Sequence, residues 1–549
     1  MLLALAALIS LISVPFSTYY HFTKPTPDYG GTLVEGLLGN LKHLNPLLVQ
    51  SNDADKDLVN LVYSGLVRFG TEGKLENNLA QSYEISEDGL TYTFKIKENI
   101  TWHDGYPITA DDIVFTIVTA QNEDYASTQR ILWQGVEVSK TDKLTVVFKL
   151  KNKYAQFLDN ATLGILPQHI WQNIKPANFS LSEFNLKPVG SGPYKFSKIK
   201  RDSYGQVKSF ELEAFDKYHE GRPFISRIIF KMYPSETELI QAYNNGDIKN
   251  FGSISATGLN SIRFLGQLNL NSLKLPRYFA VFLNQNHSEQ LSDKNVRLAL
   301  SHATDKDSII SDVLSGKASR VDSPMLPGIL DIPAEGKKFN FDPNLANQIL
   351  DNSGWTLSGD TRQKSLPSTA RKDQTSEDPL KLRLELTTSD WPELVRVANQ
   401  LKEQWRSIGF DVTIKSLPLG ELQQTIKERS YDALLFGEVL ALDPDPFSFW
   451  HSSQKKDPGL NLALYDNKDA DKILEEARQT LNPSSRLMKY NELQNIIIED
   501  IPAIFLYSPD YIYSQSKEIK GNTGLYISSP SERFNKLGDW YIETKRVVK

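Results

Sequence analysis

Residues 101–116 read TWHDGYPITADDIVFT and set one His, three Asp and one Trp within sixteen positions. Such a cluster could hold a metal ion or move protons. A metal site needs three convergent ligands, usually with two at a regular spacing such as H-x-x-x-H. Here there is a single His, and Asp111 and Asp112 are adjacent, so on a helix they point about 100° apart. The same residues fit a structural joint. Asp104-Gly105 is strong turn chemistry, because Gly accepts positive φ and Asp bonds the local backbone. Thr109 stands where an N-cap belongs, with Asp112 three residues on as the reciprocal partner of a capping box. Ile113, Val114, Ile117 and Val118 then form the apolar face of the helix that follows. Ser197-Lys-Ile-Lys200 matches S-x-x-K, but a strand-like alternation surrounds it, and neither K-T-G nor G-x-S-x-G occurs in the chain. No cysteine is present, which removes thiolate catalysis, cysteine-ligated zinc and disulfides. The expectation is a protein that is not an enzyme and uses no metal and no cofactor.

The elements around these residues interleave strands and amphipathic helices, an α/β pattern. Residues 91–97 (TYTFKIK) alternate with Tyr92, Phe94 and Ile96 on one side, and 143–150 (KLTVVFKL) form a second half-buried strand. Val296, Ala299, Leu300 and Ala303 recur at helical spacing, as do Leu394, Val397, Ala398, Leu401, Trp405 and Ile408. The latter helix should end at Gly409 and run into a strand over 410–417. Ile473, Leu474, Ala477 and Leu481 mark another helix, closed by Asn482-Pro483. Residues 357–378 are polar and aperiodic, as a surface insertion would be.

At 549 residues the chain exceeds the roughly 250–300 that one core can serve, so two or three lobes are expected. A net charge of −6 with scattered basic residues argues against a nucleic-acid partner. Residues 2–14 (LLALAALISLISV) carry no charge and suit a signal-peptide core, and counting on to Tyr20 makes a marginal membrane span. Residues 1–20 are therefore an export signal or membrane anchor and 21–31 a Pro/Gly-rich tether, placing the protein outside the cytoplasm, secreted or held at the outer face of the membrane.

The run 79–97 (LAQSYEISEDGLTYTFKIK), followed by W-H-D-G-x-P-x-T-A-D-D-I-V-F over 102–115, resembles the signature of the extracytoplasmic solute-binding proteins of family 5, the peptide- and nickel-type binding components of ABC importers. Further motifs resemble the family in order: Leu44-Asn45-Pro46, Leu166-Pro-Gln-His-Ile-Trp171, Gly190-Ser-Gly-Pro-Tyr194, residues 295–306 (NVRLALSHATDK), and 341–350 (FDPNLANQIL) with Gly354-Trp355. The resemblance implies a class II periplasmic-binding-protein fold, two lobes joined by a hinge of crossing strands, plus an extra inserted α/β domain. Lobe I would comprise 28–70, 188–275 and 503–549, the inserted domain 71–187, and lobe II 276–502. The chain would cross between lobes near 277–286 and 503–513.

It also implies that the protein captures oligopeptides or dipeptides by hinge closure and hands them, as a monomer, to permease subunits of an ABC transporter. Residues 435–447 (LFGEVLALDPDPF) resemble the lobe II strand and turn whose backbone meets the ligand, which singles out Gly437, Glu438 and Val439. The family's aspartate for a peptide α-amino group falls at Leu442, one residue before Asp443. Either a one-residue shift lets Asp443 serve, or the ligand is not anchored by a free amine, since a desolvated, unpaired ammonium costs about several kcal/mol. Gly39 and Asn40 would line the cleft from lobe I, and Tyr278 and Asn284 from the crossing strand. His103 and His169 fall in motifs of the inserted domain, away from the cleft. The alternatives are the same fold with an oligosaccharide or metal-chelate ligand, and a serine hydrolase.

Overall fold

The computed structural model describes residues 21–49, 52–70, 73–326, 338–365, 379–441, 443–522 and 527–549. Residues 1–20, expected to be an export signal or anchor, lie outside them, as do Leu442 and residues 366–378. Its architecture is α/β, organised on one twelve-stranded mixed sheet and one four-stranded antiparallel sheet. The main path of the large sheet runs Asp411–Leu417, Arg383–Ser389, Ala433–Val439, Arg277–Leu283, Ala503–Ser516, Asn250–Phe251, Gly30–Leu38, Ile225–Tyr233, Val207–Ala214 and Tyr194–Arg201.

The fourteen-residue strand Ala503–Ser516 joins the two halves. Its beginning pairs with Arg277–Leu283, from Ala503 opposite Phe282 to Tyr507 opposite Phe279, with a register shift between Phe279 and Ala280. Its end pairs with Leu268–Lys274, from Asp510 opposite Lys274 to Ser516 opposite Leu268. The two apolar crossing segments of the sequence are thus hydrogen-bonded neighbours. Arg277–Leu283 is covered on both faces, which explains its unbroken apolar run. Phe279, Val281 and Leu283 enter one core with Leu386, Trp405 and Leu435, while Tyr278, Ala280 and Phe282 enter another with Trp450 and Phe505.

Residues 80–150 form the four-stranded sheet, in which Tyr92, Phe94 and Ile96 are buried as their alternation requires. Its core is continuous with that of the sheet around Gly30–Leu38: Leu33, Trp102, Phe148, Phe230 and Trp540 belong to one apolar cluster. The TWHDG stretch is where the two meet. His103 donates its backbone N–H to the Gly190 carbonyl, its ring bonds the Gly192 carbonyl at 3.0 Å, and Nδ1 accepts from the Gly190 N–H. Burial holds the His103 ring down to about 4, so it is a neutral clamp. His169 bonds Asp104 at 2.8 Å and stacks on Tyr106. Thr109 and Asp112 form the capping box, with the Thr109 N–H on Asp112 at 2.9 Å. Val118 departs from the expected apolar face and is exposed; Thr116 and Ala120 take the buried positions instead.

Two other expectations change. The described part of the polar insertion is an antiparallel hairpin, Thr356–Ser358 with Thr361–Lys364, and not an irregular loop. Arg362, only 5% exposed, holds it by bonding the Trp355 and Ile408 carbonyls, Asn347 and Asp351. Asn482-Pro483, expected only to close a helix, opens the helix Pro483–Asp500, with Asn482 capping it through the Ser485 N–H. Near the two ends of the described chain, Thr23–Pro27 pairs antiparallel with Thr544–Val548.

Beneath Gly30–Leu38 lies a buried ionic cluster. Arg533 bonds both oxygens of Asp57, at 2.8 and 2.6 Å, and Glu35 at 3.2 Å; Tyr513 donates to Glu35 at 3.0 Å. Burial pushes Glu35 up to about 7 despite the guanidinium. Arg533→Met should lower stability by about 3–5 kcal/mol, because it strands two carboxylates in the interior. The fall in urea midpoint should shrink as pH drops below 7 and Glu35 takes up a proton.

Candidate functional site

In both halves of the large sheet the parallel strands end at the same place. Gly30–Leu38 is parallel to Ile225–Tyr233 and Asn250–Phe251, and helices Asp53–Val62 and Glu236–Asn244 start beyond their carboxyl ends. Arg383–Ser389 is parallel to Asp411–Leu417 and Ala433–Val439, and helices Pro392–Arg406 and Leu419–Glu428 start beyond theirs. Val439 lies opposite Arg277, and Tyr507 opposite Phe279, so both sets of ends face the middle of Ala503–Ser516. Open α/β sheets bind ligands in a crevice outside the carboxyl ends of their strands. Here two such ends share one crevice, with Arg277 at the start of the crossing strand and Tyr511 in the long strand between them.

On the Gly30–Leu38 side the crevice opens into a recess of about 220 Å³ lined by Gly36, Leu38, Asn52, Asp53, Ser253 and Tyr511, among others. Gly39 turns the chain there with φ +93°, a conformation that favours glycine, and donates its N–H to the Tyr233 carbonyl at 2.8 Å. Asn40 is exposed and its carbonyl accepts from the Asn52 side chain at 2.7 Å. Both residues stand at the rim of the recess.

On the other side, Val439 is 66% exposed at the end of its strand, and Trp391 and Leu419 are exposed at the two neighbouring helix starts. Gly437 is backed by the Phe279 ring: a Cβ there would meet ring carbons at 3.0 and 3.1 Å. Ala433 and Leu434 pair with Leu386 and Thr387, but the ladder on that side stops at Leu434. Beyond it, the Leu435 carbonyl accepts from the Thr388 hydroxyl. On the side away from Arg277–Leu283, the last residues of Ala433–Val439 therefore present an edge with no strand partner among the described residues.

Of the remaining sequence candidates, Tyr278, Glu438 and Asn284 lie elsewhere. Tyr278 is fully buried and its hydroxyl donates to Glu438, itself 3% exposed. Both side chains point away from the crevice into the core around Trp450 and Phe505. Asn284 is 1% exposed; it bonds the Arg429 carbonyl and accepts from the Asn286 and His287 N–H groups, as a turn cap does. Asp443 pairs with Arg486 at 2.5 Å through one oxygen, while the other is buried without a partner. Burial pushes its carboxyl up, against the pull of Arg486. Around it, Arg478 pairs with Asp445, and Gln156 bonds Tyr490 at 3.0 Å and the Pro444 carbonyl. The Asp-Pro-Asp-Pro turn is thus tied both to its own helices and to residue 156 of the region around the four-stranded sheet. Sequence reading passed over Arg277, Asp53 and Glu393; a charged residue opening the apolar run RYFAVFL was the available signal.

The fold and the shared crevice define a two-lobed solute-binding protein. The sequence profile of the bacterial extracellular solute-binding proteins, family 5 (middle region), matches residues 74–461, and the chain belongs to that family. It is 31% identical over 533 residues to the oligopeptide-binding protein AppA of Bacillus subtilis, covering 94% of this chain and 92% of that one. The structure of B. subtilis AppA in complex with a nonapeptide superposes with a TM-score of 0.73 at 29% identity, covering 94% of this chain and 100% of the other. NikZ from Campylobacter jejuni, in complex with Ni(L-His), gives a TM-score of 0.74 at 28% identity over 93% of this chain and 99% of NikZ.

Glu438 sets a pH dependence in the core behind the strand that ends at the crevice. Burial raises its carboxyl from the ordinary 4.5 to about 8, with Tyr278 opposing. The folded chain therefore keeps a proton that the unfolded chain has released, and stability falls as pH rises from about 4.5 to about 8. Glu438→Gln keeps the shape without the charge. It should be close to wild type at pH 5 and more stable at pH 8.5, by on the order of 3 kcal/mol, in chemical denaturation.

Proposed function

We propose that this protein captures oligopeptides outside the cytoplasm in the crevice between its two lobes and delivers them to the permease of an ABC importer, without making or breaking a bond. The observation that carries the reading is the unpartnered strand edge after Leu434, at the carboxyl ends of the parallel strands. An extended peptide can add to such an edge through main-chain hydrogen bonds, which gives affinity with loose side-chain selectivity. Gly437 and Val439 are the backbone contacts, and Gly39 and Asn40 face them from the other lobe. Asp443, with one oxygen on Arg486 and the other unpartnered, is the carboxylate for the peptide's ammonium.

The domain division expected from the family motifs supports closure by rotation. The region 71–187 shares its core with lobe I, whereas the two cores of lobe II are separate, so lobe II swings as a unit about the paired crossing strands. The likeness to B. subtilis AppA and its bound nonapeptide favours a peptide ligand; the likeness to NikZ keeps a metal chelate as the second reading.

Purification from native membranes followed by mass spectrometry should release a series of peptides of varied side chains. A single chelate or sugar would replace the peptide reading and leave the fold untouched. Acetylation of a bound peptide's N-terminus should weaken it at least tenfold, and Asp443→Asn should abolish that difference, both read by calorimetric titration.

A further inference from the structure

Arg277 opens the strand Arg277–Leu283 at the crevice, and its electrostatic neighbours come from both lobes: Asp53 and Glu393 at the starts of two facing helices, and Tyr507 and Tyr511 on the long strand. Its Nε is buried without a hydrogen-bond partner, and its guanidinium forms no ion pair among the described residues. The hydroxyl of Tyr507, a residue with no exposed surface, is likewise buried without a partner. Desolvated donors that find no acceptor are costly, and each such group calls for an explanation. Other buried guanidiniums among the described residues have partners within the chain: Arg533 holds Asp57 and Glu35 through its terminal nitrogens, its Nε alone left over, Arg362 holds three carbonyl oxygens and Asp351, and Arg297 bonds four main-chain carbonyls.

We propose that Arg277, with the Tyr507 hydroxyl beside it, is the seat of a carboxylate carried by the ligand. A guanidinium presents parallel N–H donors that match a carboxylate two-to-two, and a phenol can add a further donor. The seat lies at the hinge between crossing strands, so a ligand carboxylate there would bind both lobes' elements at once. Two features support an anion in particular. Arg277 is held below its ordinary value by burial, which Asp53 and Glu393 do not offset, so its positive charge is under-compensated. Glu393, pushed up by burial, is drawn to Arg396 as well as to Arg277, so it does not answer Arg277 alone. This inference rests on the crevice being the peptide site, and it adds which end or side chain of the peptide the site selects.

The test uses the full chain and a random heptapeptide library made in four forms: free C-terminus or amide, with or without Asp and Glu. Equilibrium capture is quantified by mass spectrometry for wild type, Arg277→Gln and Arg277→Lys, with thermal melting as the check on folding. Wild type should enrich carboxylate-bearing peptides, and Arg277→Gln should lose that preference by about ten- to a hundredfold while affecting amidated, acid-free peptides less than about twofold. Arg277→Lys, with the charge but not the fork, should fall between. Preference that vanishes on amidation identifies the peptide C-terminus; preference that follows Asp and Glu content identifies an acidic side chain. Equal capture of all four forms by wild type overturns this inference alone, and that comparison stands even where a variant fails to fold. Capture of no peptide of any form overturns the peptide reading together with it.

Discussion

Everything in this molecule passes through the backbone pairing of Ala503–Ser516. One continuous strand is hydrogen-bonded to Arg277–Leu283 at its start and to Leu268–Lys274 at its end, so it belongs to two lobes at once. Within the first ladder, at its end nearer the second, the register shift at Phe279–Ala280 re-aims the pairing, as bulges do. The pairing fixes which residues sit opposite each other in the crease, and it brings the carboxyl ends of two independent parallel arrays to face one another. A crevice built this way uses main-chain geometry for its walls, and side chains need only tune it.

That tuning is electrostatic, and it differs between depth and surface. The deep ionic groups pair within the chain: Arg533 with Asp57 and Glu35, Lys306 with Asp322, Arg362 with its carbonyls and Asp351. At the crevice the pairing is open. Arg277 Nε, the Tyr507 hydroxyl and one oxygen of Asp443 lack partners among the described residues. The contrast matters because a folded chain tolerates unsatisfied buried groups where a ligand completes them. Glu438 also has one unpartnered oxygen, but it sits in the core beside Tyr278, where burial raises its carboxyl against the pull of the Tyr278 hydroxyl and no ligand is needed.

Much of the fold was legible because it is written in local rules. Alternation in TYTFKIK, helical spacing in 394–408, and the Thr109–Asp112 cap appear in the structure as expected. The answer to the TWHDG stretch was also readable, since one His beside turn chemistry is better explained as a joint than a metal site. What escaped was pairwise and long-range. Nothing local says that Glu438 faces Tyr278, because that depends on the register between strands 160 residues apart. Asn284 looked like a cleft residue and caps a turn on Arg429, again a distant partner. The 357–378 stretch looked irregular because its hairpin, in the described part, is held by a single buried Arg362, a feature with no periodicity.

The pairing of Thr23–Pro27 with Thr544–Val548 has a mechanical consequence. A pull applied at Thr23 meets an antiparallel zipper to the last strand before any of it passes to Gly30–Leu38 and the large sheet. The load is shared between the two ends of the described chain.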